Sequence, residues 1–316
     1  MGVLWLVIPC YNEEEMLPLA LPVLKKKLCA LIEQGKIAPE SKIALVNDGS
    51  QDCTWQLIQK YHEEDGSVVG INLAHNKGHQ NALMAGLMVA KEYADVTVSM
   101  DADLQDDIDA VDKMIDEYAG GADIVFGVRS SRKTDTFLKR ATAEGFYKVM
   151  QKMGVKTVFN HADFRLMSKR ALEALSSYGE DDLFLRGIVT DIGYNTAVVT
   201  YARRAREAGK SKYHARKMIA LALNGITSFS TKPLNISAMF AVISAFLAFA
   251  GILTGVLGIF FWPELYTFCF LLGAVFTVGF MLFLSLWVMG LYVGKTYLQV
   301  KHRPRYIVST VLYKEN

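Results

Sequence analysis

The ten residues VSMDADLQDD, from Val98 to Asp107, hold the densest chemistry in the chain. A short apolar run, Val96–Met100, gives way there to Asp101, Asp103, Asp106, Asp107 and the amide Gln105. Carboxylates one residue apart point the same way if the strand continues through them. Asp101 and Asp103 then offer two hard oxygen ligands where a strand becomes a loop. Mg²⁺ or Mn²⁺ takes such ligands and keeps positions open for substrate phosphates. Gln105 adds a neutral oxygen within reach. The same stretch also suits an Asx-rich turn or a helix N-cap before Ile108, a role that fits Asp106 and Asp107.

These acids need a scaffold, and the chain before residue 127 supplies one. Apolar runs at Val3–Ile8, Ile43–Val46, Val68–Ile71, Val96–Met100 and Ile124–Phe126 read as buried parallel strands. Helical patterns alternate with them near Glu13–Leu31, Thr54–Tyr61, Gln80–Tyr93 and Ala110–Tyr118. Repeated βα units predict an α/β fold, a mainly parallel sheet covered by helices, with ligands at the carboxyl ends of the strands. No G-x-G-x-x-G follows the first strand, so a dinucleotide-binding reading has no motif behind it. The polar signals fall at strand ends: Pro9-Cys10-Tyr11-Asn12-Glu13-Glu14, Asn47-Asp48-Gly49-Ser50-Gln51-Asp52 and Asn72-Leu73-Ala74-His75-Asn76-Lys77-Gly78. Any one of these is satisfied by loop punctuation and helix capping. Four acid- or amide-rich ends on one rim point further, to a base edge and a ribose donating to acids while a metal handles phosphates.

Beyond Gly127, a basic stretch (Arg129, Arg132, Lys133, Lys139, Arg140) runs into a predicted helix, Phe137–Met153. It is either a solvated face or, beside a metal site, a set of guanidinium forks for a diphosphate or lipid phosphate. His161-Ala162-Asp163-Phe164-Arg165-Leu166 follows, then a helix from Lys169 to Leu175 and another beginning near Glu180-Asp181-Asp182. Tyr194–Tyr201 alternates and predicts a strand, and Arg305–Leu312 predicts another without an evident partner. Lys212–Phe229 is amphipathic. Two readings of it stay open, a helix lying in the headgroup layer or a core helix of the sheet domain.

The 316 residues carry a net charge of only +2, but unevenly. Seven Lys/Arg face one Glu between Ala202 and Lys217, and five face one from Lys295 onward. Between these blocks, Pro233–Pro263 and Leu265–Gly294 are uncharged. Each exceeds the ~20 helical residues that cross a ~30 Å hydrocarbon core. The break Trp262-Pro263-Glu264 is short enough for a hairpin. Basic residues flank both outer ends, which puts the large N-terminal domain and the tail together in the cytoplasm. Val3–Cys10 is too short, and lacks the basic leader, to be a secretory signal. The four cysteines have no paired spacing and predict reduced, mostly buried thiols.

Taken together, these residues resemble the family 2 glycosyltransferases of GT-A type, and within them the polyprenyl-phosphate branch that includes bactoprenol glucosyltransferases and dolichyl-phosphate mannose synthases. Val7–Glu14 looks like the family's opening motif, Val46–Asp52 like its second, and Asp101–Asp107 like its metal motif. Arg206-Glu207-Ala208-Gly209-Lys210-Ser211-Lys212 resembles its R-x-x-G-x-S-K segment. The resemblance implies a cytoplasmic GT-A domain over 1–212, an interfacial helix over 213–232, two membrane helices within 233–294 (near 234–262 and 266–293) and a basic cytoplasmic tail, 295–316. It implies that Pro9, Tyr11, Glu13, Asp48 and Asp101 hold the nucleotide, Asp48 accepting from the base. Asp101, Asp103 and Gln105 would hold Mg²⁺ or Mn²⁺; Arg129, Arg140, Arg206 and Lys212 would hold phosphates. Asp163 matches the residue proposed as catalytic base. Glu180, Asp181 and Asp182 depart from the pattern, which carries a basic residue among the acids, and leave a second carboxylate in contention.

The reaction so implied is inverting transfer of a sugar, glucose from UDP-glucose, to polyprenyl (undecaprenyl) phosphate at the cytoplasmic face of a bacterial inner membrane. No nucleic-acid partner is expected, and the spans are expected to assemble a homo-oligomer. A processive polysaccharide synthase would need a Q-x-x-R-W segment, and none of Trp5, Trp55, Trp262 or Trp287 lies in one. A non-catalytic scaffold that binds nucleotide sugar is the other alternative; intact Asp101, Asp103 and Gln105 count against it.

Overall fold

The computed structural model describes residues 2–130, 161–180, 184–202, 232–261 and 266–314. The expected helix Phe137–Met153, the amphipathic segment Lys212–Phe229 and the break at Trp262–Glu264 lie outside the described residues. So do Arg140, Asp181, Asp182, Arg206 and Lys212. The chain divides into a sheet unit, which takes in the tail from Pro304, and a helical unit that runs to Arg303.

In the sheet unit, β1 (Leu4–Cys10), β2 (Lys42–Asn47), β3 (Val68–Leu73) and β4 (Val96–Ser99) are parallel, joined by α1 (Leu17–Glu33), α2 (Thr54–Glu64) and α3 (His79–Tyr93). Then follow α4 (Ala110–Ala119), β5 (Ile124–Arg129), β6 (His161–Ser168), α5 (Lys169–Ser176), α6 (Leu185–Asp191), β7 (Thr196–Tyr201) and, from the tail, β8 (Val308–Leu312). The eight strands run in the order β7-β5-β6-β4-β1-β2-β3-β8. Every residue of β1 and β2 is buried, because helices cover both faces of a parallel sheet. That is why these strands read as unbroken apolar runs. At Gly86 α3 comes close to the sheet: a Cβ there would fall 2.5 Å from Val7 Cγ1 and 2.6 Å from Val46 Cγ2.

Two strands change the expected picture. The sequence reading gives no strand at His161–Leu166, yet β6 runs antiparallel there between β4 and β5. Phe164 and Leu166 enter the core while Asp163 and Arg165 occupy the other face, a period-2 alternation short enough to pass for a loop. The strand expected in the tail has a partner, since β8 pairs antiparallel with β3 from Gly70↔Leu312 to Leu73↔Val308. Its neighbour Tyr313 meets the rings of Tyr93 at 4.5 Å and Trp5 at 5.9 Å. Lys314 Nζ donates to the carbonyls of His62 and Glu63 at the end of α2, both at 3.2 Å, where a helix dipole favours a cation. Residues 304–314 therefore belong to the sheet rather than to a separate tail.

Deleting residues 306–316 should uncover the β3 edge, a pairing template for other chains. The strand is half-exposed, so its side chains recover only part of the ~1.5–3 kcal/mol that each would contribute if fully buried. A loss of roughly 2–4 kcal/mol is expected on that basis, read as a lower melting temperature with more aggregation in detergent. An unchanged melt would show that β8 is ornamental.

Among the thiols, Cys10 is buried, and burial pushes its pKa up. Cys29 and Cys53 are exposed, which corrects the expectation of mostly buried cysteines. Both lie on or beside amphipathic helices, whose outward faces take small residues without cost. All three are free.

Among the described residues the helical unit holds α7 (Lys232–Phe261) and α8 (Tyr266–Val300). Ser244 Oγ donates to Met281 Sδ at 3.1 Å, and a Cβ at Gly251 would lie 3.6 Å from Ala274 Cβ. Seven residues forward on one helix match seven back on the other, so the pair is antiparallel. Pro233–Gly251 and Phe270–Val300 are long and apolar enough to cross a membrane. Phe246, Phe276 and Phe283 are each at least 70% exposed, a surface suited to lipid rather than water. Helix α8 continues past the expected limit at 293, because Lys295 to Gln299 contain no breaker before Pro304.

Candidate active site

The loops after β1, β2 and β3 are stitched together at the carboxyl end of the sheet. Asn12 takes a positive φ of 53°; its N–H donates to Ser50 Oγ at 3.0 Å and its Oδ1 accepts from the N–H of Gln51 at 2.9 Å. Glu14 Oε2 accepts from the N–H of Cys53 at 2.9 Å, and Asp52 binds both the N–H and the hydroxyl of Thr54 at the start of α2. These acids cap and join loops. Glu13 donates its N–H to Thr54 Oγ1 at 2.9 Å, and Pro9 lies in β1 opposite Val46. Gly49 has φ +61°, and a Cβ on it would fall 2.5 Å from the backbone nitrogen of Asn76. The second loop can therefore rest on the third only through a glycine.

Asp48, expected to accept from a base, is buried at this junction. Its carboxylate accepts from the N–H groups of Lys77 at 2.7 Å and Gly78 at 2.9 Å. Burial raises its pKa and these two bonds pull it back. Each oxygen keeps a second lone pair for a ligand.

The strand does not run on through Asp101 and Asp103. β4 ends at Ser99, and a turn follows in which Leu104 has φ 52°. Asp103 is buried, and its Oδ1 accepts from the N–H of Gln105 at 3.2 Å. An Asx turn thus forms at Asp103 as well as at Asp107, whose Oδ1 accepts from the N–H of Asp109 at 3.4 Å. The donor set, two carboxylates and an amide on one turn, has the hard-oxygen chemistry a divalent cation accepts when substrate phosphates complete its shell. Among the described residues no group of three or more His, Cys, Asp and Glu is arranged to hold a metal by itself.

Asp163 reaches the same place from β6. The antiparallel β4–β6 ladder pairs Ser99 with Arg165, and Asp101 stands two residues after Ser99 as Asp163 stands two before Arg165. Ser99 Oγ locks the register by donating to the Asp163 carbonyl at 2.6 Å. Residues two apart on a strand share a face, so Arg165, 1% exposed, donates to Asp163 Oδ1 at 3.0 Å. Arg186 of α6 grips both oxygens, at 3.3 and 3.2 Å. His79 Nε2 stands 3.6 Å from Asp163 Oδ2 and 3.5 Å from Asp101 Oδ1. Burial alone would raise the Asp163 pKa, but Arg186, His79 and Arg165 hold it well below the usual carboxylate range. Burial and the nearby Asp163 and Asp103 push Asp101 up, against the pull of His79. Surrounding protein disfavours charge on His79, yet Asp163 and Asp101 outweigh it and push the imidazole up to about 9.

Arg129, expected on a phosphate, reaches the rim from β5. Its Nε donates to Tyr201 Oη at 3.4 Å, and its guanidinium lies 3.6 Å from Asp106 Oδ1. Tyr201 in turn donates to Asp106 at 2.5 Å. The structure thus gathers Asp48, Asp101, Asp103, Arg129 and Asp163 at one end of the sheet. His79, Arg165 and Arg186 are additions that sequence reading missed. Arg165 was legible as the partner two positions from Asp163 once that segment is a strand. His79 and Arg186 open helices, where nothing in the spacing separates a capping residue from a site residue.

The stretch that carries these acids, from β1 to the end of α5, coincides with the match to a family model described as glycosyl transferase family 2, over residues 5–176. An uncharacterized glycosyltransferase of Bacillus subtilis (strain 168), YkoT, is 46% identical over 324 residues, covering 99% of this chain and 93% of its own. A bactoprenol glucosyl transferase of Shigella phage SfV is 38% identical over 315 residues, covering 96% and 97%. A mannosyltransferase from Pyrobaculum calidifontis, solved in complex with GDP-Man and Mn²⁺, aligns with a TM-score of 0.45 at 16% identity, covering 90% of this chain and 87% of that one. The model spans more than half the chain, including the acids that follow β2 and β4 and Asp163 of β6, and the first two relatives cover nearly all of it; the chain therefore belongs to glycosyltransferase family 2.

Proposed function

We propose that this chain moves glucose from UDP-glucose to undecaprenyl phosphate, with inversion at the anomeric carbon, at the cytoplasmic face of a bacterial inner membrane. The observation that carries the reading is the meeting of Asp101 and Asp163 across β4 and β6, in a chain with two helices apolar enough to cross a bilayer. Relatives named bactoprenol glucosyl transferases support the lipid carrier and the sugar. The catalytic domain (1–212), the interfacial segment (213–232) and the paired spans would bring a lipid headgroup to the rim, raising its local concentration. The spans would also carry any homo-oligomer.

Pro9, Tyr11, Glu13 and Asp48 would seat the nucleotide. Asp101, Asp103 and Gln105 would hold Mg²⁺ or Mn²⁺, which when bound offsets the charge that develops on the leaving diphosphate. Arg129, Arg140, Arg206 and Lys212 would take up phosphates. On this reading Asp163 would stand beside the reacting centre as the expected base, but its oxygens already serve Arg165, Arg186 and His79. A carboxylate held so acidic is a weak base. The acceptor needs little help: a phosphate monoester has a second pKa of ~6, by analogy with phosphoserine, and is largely deprotonated at neutral pH.

The test is a panel of nucleotide sugars with undecaprenyl phosphate, scoring lipid-linked sugar and released nucleotide. UDP-glucose is expected to give the most product, EDTA to stop it, and Mg²⁺ or Mn²⁺ to restore it. Nucleotide sugar bound without any lipid product would favour the scaffold reading. Full turnover in EDTA would remove the metal from the scheme.

A further inference from the structure

The segment Lys77–Asn81 ties together parts of the site that lie far apart in sequence. The N–H groups of Lys77 and Gly78 reach Asp48 at the end of β2. Gln80 Oε1 accepts from the N–H of Leu185, the first residue of α6, at 3.0 Å. Asn81 Nδ2 returns to the carbonyl of Lys77 at 2.9 Å. Between them His79 faces Asp101 after β4 and Asp163 on β6. It is the first residue of α3, a helix pressed against β1 and β2 at Gly86. Its imidazole is therefore carried by a rigid element, with the strap anchored on either side.

Two carboxylates at the ends of neighbouring strands repel one another, and a donor between them offsets that repulsion. We propose that His79 is a positioning residue for the transfer reaction: its imidazole holds Asp101, on the donor side, and the Asp163–Arg186 pair, on the acceptor side, at one spacing. The assignment of sides rests on the reading given under Proposed function. On this view His79 acts through the two acids, and its loss disturbs the alignment of donor and acceptor while leaving the nucleotide contacts around Asp48 in place. A misplacement of 1 Å by a residue outside the chemistry can cost about 10²-fold.

The experiment uses the full chain in detergent with UDP-glucose and undecaprenyl phosphate. His79→Ala is expected to lower kcat about 10–100-fold while donor KM changes less than about threefold, and His79→Gln, which keeps an N–H donor, to recover most of the loss. A rise in donor KM at unchanged kcat overturns the proposal. So does His79→Gln no better than His79→Ala with both variants folded. A second measurement needs no turnover: melting temperatures of His79→Ala, Asp163→Asn and the double variant. If the bridge exists, the double variant loses less than the sum of the singles, by roughly 2–4 °C, the shift that ~1 kcal/mol of coupling gives a domain of this size. Additive losses overturn it. Non-additive melts without any lipid-linked product would keep the bridge and sink the reaction, while product with additive melts and unchanged kcat would do the reverse.

Discussion

Asp103→Ala is expected to lower kcat on the order of 10²–10³-fold, the usual cost of removing one group that stabilises developing charge, and to cost more turnover than Asp163→Asn. Asp103 is buried in the turn after β4, with Gln105 folded back onto it. On the proposed reading it would hold the metal that offsets charge on the departing diphosphate. Asp163→Asn keeps an oxygen for Arg165 and Arg186 and, on the proposed reading, removes only a base that a phosphate acceptor would not need. The measurement is initial rate of lipid-linked sugar formation for both variants at saturating UDP-glucose, undecaprenyl phosphate and Mn²⁺. The reverse order would mean that proton removal limits the reaction, and that the acceptor meets the enzyme protonated.

Asp163→Ala should have the largest effect on stability. It strips one carboxylate from Arg165, which is 1% exposed, from Arg186, and from the neighbourhood of His79. Removing one member of a buried ion pair usually costs about 3–5 kcal/mol, because the partner charge stays buried without compensation. Chemical denaturation in detergent reads this directly, and a loss below about 1 kcal/mol would mean that solvent reaches the cluster freely. The pH dependence has a definite sign. The folded pKa of Asp163 lies below its ordinary value, near 3.9 for an unfolded chain. Its contribution is therefore fully present above about pH 4 and is lost as pH falls through the folded value. In Asp163→Asn that part of the acid transition should disappear.

The parallel half of the sheet was legible because parallel strands bury both faces. Val3–Ile8 and Ile43–Val46 read as continuous apolar runs for the same reason that β1 and β2 are buried throughout. The two apolar spans were legible by length. Less legible was β6: eight residues whose alternating Asp163, Phe164, Arg165 and Leu166 follow a basic segment. Its insertion between β4 and β5 depends on partners elsewhere in the chain. The continuation of a strand through Asp101 and Asp103 was a fair reading of their spacing. The turn with Leu104 at positive φ replaces it, bending the chain so that Asp103 is buried.

Residue type and order alone establish which groups can do chemistry here and at which strand ends they fall, because hydrophobic period and local turn preference are encoded within a few neighbouring residues. They also establish membership of glycosyltransferase family 2 and two helices fit for a bilayer. Tertiary structure alone decides that Asp163 stands opposite Asp101, that His79, Arg165 and Arg186 surround it, and that the tail closes the β3 edge. Apart from Arg165, which follows from the strand itself, these facts follow from strand register and from contacts between segments about 20 to 240 residues apart, and no local pattern specifies which strand a given strand will pair with.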